Sequence, residues 1–537
     1  MVTASTGNTE ASSASSAVNR LVESLREALT CCPLLWPDVT DTLSEPWITA
    51  RGYTVKSGGM GKVVKDHFAE GRTMARTAGR NHELAAVLAE AGWSHAQAAA
   101  AFVRVAMEND AQECAGVGRS HVSHWVRGTR PSGRAPGILC EALSRRLGRA
   151  VTASELGLTG PSTPSPVALD WGTDTLAVLA DLGRVDADME RRHLLGAATY
   201  SVAALALPVG SWWTRMAEQG NSRSASAGRR VGRSDLEAVR DMVSFFSRVD
   251  QRRGGGHART AVVQYLLSDV AGYLRGSFLD DRVRRDMFSS ASELAYLCGW
   301  MAFDNAEHST AQRHFSVAVR LAAEADDPPM AGHILRAMAH QAVDLGHRQE
   351  ALDLASASMD GRRYTSASPR ERALLGVVRA RSLAANGQKS DAAAALLRAE
   401  DDLSAATSGD DEPHRVFFFQ EASLAHETAC TLRDSGDLVG ALREFRRSVR
   451  TRESSTFTRT HAVTLGYLGA VQAHKGGIED ACASWSRALD AMDGVHSART
   501  RQTAIDMRRA LSPFRNRGIR VASEVDARAA SYLAGTT

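Results

Sequence analysis

Residues 339–358 read AHQAVDLGHRQEALDLASAS, and this stretch decides the fold. A small residue, Ala339, ends one apolar helical face; Gly346 breaks the chain; Ala351 opens a second face, with Ser358 seven residues on. The same layout recurs downstream and upstream. Alanine stands at 311, 351, 392, 441 and 481, in steps of 40, 41, 49 and 40 residues. Twelve residues before these alanines lie Gly299, Ala339, Ala380, Ala429 and Gly469, and seven after them Ala318, Ser358, Ala399, Ser448 and Ala488. Phe315, Leu396, Phe445 and Trp485 hold a bulky position four after the alanine, where the second copy has Ala355. Small side chains at three places per copy let two antiparallel helices, and then neighbouring hairpins, approach closely, while the bulky one fills the gap between them. Gly346, Gly387, Gly436 and Gly476 sit five before their alanines and mark the turns.

This pattern resembles the tetratricopeptide repeat, which implies an α-solenoid whose concave surface binds a ligand. The steps exceed that family's usual length, and the proline that commonly follows its second helix is mostly lacking.

A second helical zone precedes the repeats. Leu84, Val87, Leu88 and Ala91 fall on one face of a helix closed by Gly92, and Ser94 caps a helix running to about Asn109. Gly116 and Gly118 then break the chain, and Ser120 is placed to cap a short third helix. There Val122, Trp125 and Val126 turn inward, while Arg119, His121, Ser123, His124 and Arg127 project outward. Gly128 and Pro131 end it. A fourth helix carries Ile138, Leu139, Ala142, Leu143 and Leu147 inside, and Thr152 to Glu155 form a capping box for a final turn. Between Arg119 and Arg149 stand seven arginines, no lysine and one acid, Glu141, a formal +6 in 31 residues. Guanidinium forks suit bidentate grips on phosphate or guanine.

VSHWVRGTRP (122–131) resembles the recognition-helix end of the XRE, or lambda-repressor/Cro-like, helix-turn-helix domain. With EALSRRLGRAVTASELGL (141–158) and the downstream repeats, the arrangement is similar to the NsdA-type regulators of Streptomyces. The resemblance implies control of development or secondary metabolism, with Arg119, Ser120, His121, Ser123, His124, Arg127 and Arg130 as the residues that touch double-stranded DNA. His95 to Trp125 spans 30 residues, about ten more than a minimal helix-turn-helix needs. That excess predicts an extended second helix or a loop around RVAMENDAQECAG (104–116).

Composition frames these motifs. The chain has 537 residues, 44% hydrophobic, with 64 basic against 61 acidic residues. A net charge of +3 excludes a uniformly basic coat, so any basic surface is local. The Ala-rich apolar run 194–209, interrupted by Pro208, is too short to span a membrane, and the polar start MVTASTGNTEASSASSAV has no secretory pattern. Seven scattered cysteines without C-x-x-C spacing suggest neither a disulfide framework nor a thiolate zinc site. SGGMGK (57–62) lacks the first glycine and the Ser/Thr of a phosphate loop. His257, His308, His314, His333, His340 and His347 form no metal-ligand motif and read as surface or interhelical residues. No nucleophile motif is present, so no catalysis, metal or cofactor is expected.

The expected organisation is all-α: a largely disordered extension (1–78), a helix-turn-helix domain (79–159), a linker (160–169), a helical connector or degenerate repeats (170–290), repeats (291–494) and capping helices (495–537). QGNSRSASAG (219–228) and RRGGG (252–256) are expected to be flexible. The expected function is a cytoplasmic, nucleoid-associated transcriptional regulator, a repressor-type homodimer. Its repeat groove takes a peptide, protein or small molecule. The alternative is an interaction scaffold whose helix-turn-helix serves as a degenerate docking module.

Overall fold

A computed structural model describes residues 80–535 except 110, 150, 154, 159–170, 192–199, 209, 224–228, 407–411 and 515–518. The expected extension (1–78) and linker (160–169) lie outside the described residues.

The chain is all-α; among the described residues the strands are two short segments, Arg230–Val231 and Ser277–Phe278, paired in parallel. The first helices are α1 (His82–Glu90), α2 (His95–Glu108), α3 (Arg119–Val126) and α4 (Ala135–Leu147). Asn81 caps α1, its Oδ1 accepting from the Leu84 amide at 2.8 Å. Ser94 and Gln97 make a reciprocal capping box on α2. The side chains from Leu84 to Leu158 close a hydrophobic cluster of their own, in which Trp125 meets Phe102 at 5.4 Å between ring centroids. Between α2 and α3 stands a 3-10 turn, Gln112–Cys114, pinned by buried Ala111 and Cys114. One cap differs from expectation: α3 starts two residues earlier than a Ser120 cap would place it. Gly118 is its N-cap, and its amide donates to His121 Nδ1 at 3.1 Å.

Next come α5 (Thr175–Arg191), α6 (Gly210–Ser222), α7 (Arg233–Arg253), α8 (Arg259–Tyr265) and, after a π-helical turn, α9 (Ala271–Leu274). Six pairs of helices follow among the described residues, the first five each joined by a short turn. They are α10 (Asp281–Asp304) with α11 (His308–Glu324), α12 (Pro328–Asp344) with α13 (Arg348–Ser358), and, after the single turn α14 (Arg362–Thr365), α15 (Pro369–Ala385) with α16 (Lys389–Ser404). The series continues with α17 (Glu421–Asp434) and α18 (Leu438–Thr451), α19 (Thr458–His474) and α20 (Ile478–Ala491), and ends with α21 (Ala498–Leu511) and α22 (Arg520–Gly535). The wider 49-residue step reflects the segment between α16 and α17, which includes the 3-10 turn His414–Val416.

The small residues stand where the helices cross. Ala311, Ala351, Ala392, Ala441 and Ala481 are each the fourth residue of a second helix and are buried. A β-carbon on Gly299 would lie 2.7 Å from the Phe315 ring, and one on Gly469 would lie 2.6 Å from Trp485 Cδ1, so each glycine makes room for the bulky residue of its partner helix. Ser448 Oγ donates to the Ala422 carbonyl at 2.6 Å, satisfying a hydroxyl at the same seam.

RRGGG (252–256) is a tight turn rather than the flexible stretch that its composition predicts. The Gly256 amide donates to His496 O at 2.9 Å, the His496 amide donates to Arg253 O at 2.7 Å, and a β-carbon on Gly255 would sit 2.8 Å from Met301 Cα. The glycines are there because three backbones meet. Of QGNSRSASAG, residues 219–222 close α6, and 224–228 lie outside the described residues.

Helix α7 packs against both α10 and α19, the first and fifth hairpins. Arg459 on α19 donates to Asp304 on α10 at 2.7 Å and to Asp250 on α7 at 3.0 Å, with all three side chains buried. Arg499 on α21 reaches Asp344 on α12 at 3.0 Å. Early and late hairpins are therefore tied together across the interior that their first helices share.

Candidate functional site

The outward residues of α3 form one continuous exposed surface. Arg119, Ser120, His121 and His124 are exposed, Ser123 is partly so, and Arg127 and Arg130 stand exposed in the turn that follows. Val122, Trp125 and Val126 turn the other way, into the core with α2, so one eight-residue helix separates a buried seam from a basic face. Gly128, at φ +105°, turns the chain so that Arg130 follows Arg127 on the same end.

The structure divides the seven arginines. Arg134 pairs with Glu113 at 3.9 Å; Arg145 grips Glu141 at 2.9 Å and also Glu108; Arg149 clamps Glu90 at 2.8 Å and Glu155 at 2.7 Å; Arg146 Nε donates to the Ala91 carbonyl at 2.9 Å. These four hold the helices to one another. Arg119, Arg127 and Arg130 have no carboxylate within ion-pair distance among the described residues, and all three belong to the α3 face or its closing turn. The formal +6 thus overstates the available positive surface, because acids of the helical head pair three of the seven arginines. Apart from Arg146 on α4, what remains falls on the candidate residues of α3 and its closing turn.

The helical head is held to the hairpins through α4. Glu141, the lone acid of the basic segment, is 2% exposed, and its Oε1 accepts from His347 Nε2 at 2.6 Å, at the start of α13. Tyr200 stacks on the His347 ring at 5.6 Å between centroids, and burial holds its phenol well above the ordinary range. Sequence spacing offers nothing that joins residues 206 apart. The one available signal is the oddity of a single acid among seven arginines. His347 falls within the interhelical reading, whereas His257 is exposed.

A second feature is a cleft in the interior shared by the first helices, with a cavity volume of about 80 Å³ and partly open to solvent. Its apolar wall comes from Leu374, Val378, Phe418 and Val463; Arg336, Arg452 and Glu427 bring charge. Burial lowers the imidazoles of His340 and His426 well below their ordinary range, which leaves them neutral. Among the described residues no group of three or more His, Cys, Asp or Glu side chains could hold a metal ion, and no helix is long and apolar enough to cross a membrane.

Comparison with known proteins finds one family model, described as the SP15 N-terminal domain, matching residues 84–159. The matched span begins at the first and ends just past the last buried side chain of the head's hydrophobic cluster. No curated protein matches the chain.

Proposed function

We propose that the chain is a DNA-binding transcriptional regulator, with the head of α1–α4 as a helix-turn-helix module of the XRE type. The tetratricopeptide-like hairpins serve in this reading as its sensing and dimerisation body. One observation carries the proposal: of the four arginines in the segment without a carboxylate among the described residues, Arg119, Arg127 and Arg130 stand on or beside the exposed face of α3, while the fourth, Arg146 on α4, is engaged by the Ala91 carbonyl. A cationic helix face with its own hydrophobic seam behind it suits entry into a major groove, where Ser120, Ser123 and the two histidines would meet base edges and the arginines would meet phosphate or guanine. The Glu141–His347 contact leaves that face uncovered, since it uses α4.

Selection of bound fragments from random duplex DNA, followed by gel retardation, tests the reading. Arg127→Ala or Arg130→Ala is expected to cost about 1–3 kcal/mol with sequence relaxation if the residue reads a base, or to reduce the slope of affinity on salt by about one if it grips phosphate. Unaltered binding by both variants overturns the interface.

A further inference from the structure

We propose that the interior cleft is a binding site for a small carboxylate bearing an apolar body, with Arg452 as its charge partner. The proposal rests on the regulatory reading above only for its consequence, the signal such a ligand would carry to the head.

Arg452 is 7% exposed, lines the cleft, and has no carboxylate within ion-pair distance among the described residues. Its guanidinium donates to the Ala422 carbonyl at 2.8 Å, to Ser448 Oγ at 3.2 Å and to Ser423 Oγ at 3.4 Å, while Nε has no partner. Arg336, 2% exposed, lies beside the same cleft; it donates to the Tyr296 hydroxyl at 2.8 Å, and its Nε is likewise unpartnered. The other two arginines of the lining have counter-charges, Arg459 in Asp250 and Asp304 and Arg499 in Asp344, although Arg459 Nε also lacks a hydrogen-bond partner. A buried cation without a counter-charge is costly, and the usual resolution is a pairing partner. Burial lowers Arg452 to about 10, which is the mark of that unmet cost.

The acid that could answer within the cleft does not. Glu427 Oε2 has no hydrogen-bond partner, its carboxylate makes no ion pair with Arg452, and burial raises its carboxyl above the ordinary range. An incoming carboxylate would meet Arg452 as a charge-assisted, fork-on-fork pair. Leu374, Val378, Phe418 and Val463 would receive an apolar body and exclude water from the pair.

Size follows from closure. The Asp250–Arg459–Asp304 triad and the Arg499–Asp344 pair bridge the hairpins across the interior, so an extended peptide has no open channel to lie in. A small molecule fits between the bridges.

The test uses the full chain, thermal-shift measurements and matched pairs of acid and amide: phenylacetate with phenylacetamide, 4-methylpentanoate with its amide, and a free pentapeptide alongside. Acids are expected to raise the melting temperature and amides to leave it unchanged. R452Q is expected to weaken the acids' affinity by calorimetry about tenfold or more. E427Q, which removes the competing acid, is expected to tighten it, and it decides the matter if R452Q does not fold. Equal shifts from acid and amide, no acid-specific shift, response to the peptide alone, or unchanged affinity in E427Q overturns the site. Gel retardation on the same preparation separates the two readings. Acid binding without DNA retardation removes the regulator and keeps the cleft; retardation without acid binding does the reverse.

Discussion

Ala306 occupies, in the first hairpin, the turn position that Gly346, Gly387, Gly436 and Gly476 hold in the next four, five residues before the alanine that recurs in each copy. All five adopt left-handed backbone, Ala306 at φ +62° and the glycines between +77° and +91°. A β-carbon there costs roughly 1–2 kcal/mol. Ala306→Gly is therefore expected to stabilise the chain by about 0.5–1 kcal/mol net of the glycine's extra unfolded entropy, read as a higher urea midpoint. Glu293, beside the Arg415–Glu371 pair, is raised by burial to about 7, against the pull of Arg415. The folded state thus holds its proton through the window from about 4.5 to 7, and the stability linked to it is full below that window and lost as pH rises through 7. Glu293→Gln should gain about 1–2 kcal/mol over the wild type at pH 8 and little at pH 4.5, in chemical unfolding at both values. An equal gain at both would refute the assignment. At this scale the α3 residues were legible in the sequence, because period and charge alone separate Trp125 from Arg127. The pairing of Arg134 with Glu113, of Arg145 with Glu108 and of Arg149 with Glu90 was not, since those acids lie outside α4 and far along the chain.

At the scale of elements, the hairpins were legible because a small residue at a helix crossing is a packing requirement that recurs with the hairpin. Gly469 and Trp485 show it most tightly. Gly469→Ala places a methyl within 2.6 Å of Trp485 Cδ1, and Trp485 is itself fixed by donating Nε1–H to the Gly466 carbonyl at 3.1 Å. The ring cannot yield without losing that bond. The substitution is expected to cost about 1–3 kcal/mol by overpacking despite the better helix propensity of alanine, measured by thermal unfolding. A neutral result would show that the seam is loose. The RRGGG turn misled for a stated reason: glycines signal freedom in an isolated chain, but here they mark the approach of His496 and Met301 backbones to Gly254–Gly256. Similarly, Ser120 is a good cap by type, yet His121 reaching back to Gly118 starts the helix earlier.

On the scale of the whole molecule, the array is closed by charge. Arg459→Ala would strand Asp250 and Asp304 in the interior, and a loss of about 3–5 kcal/mol is expected by urea unfolding, more than for truncation of an exposed arginine such as Arg443. A loss below about 1 kcal/mol would mean that water reaches the triad. Asp250 is already raised to about 6 by burial, which shows how little the site tolerates a bare carboxylate. The sequence by itself determined the helical class, the hairpin seams and the basic face of α3, because periodicity, small-residue spacing and local charge are properties of neighbouring positions. Only the tertiary structure decided which arginines remain unpaired, that Glu141 meets His347, and that Arg459 shuts the interior around Arg452. Those contacts join residues up to 209 positions apart, and a buried charge's partner is set by which helices the core brings together rather than by anything adjacent in the chain.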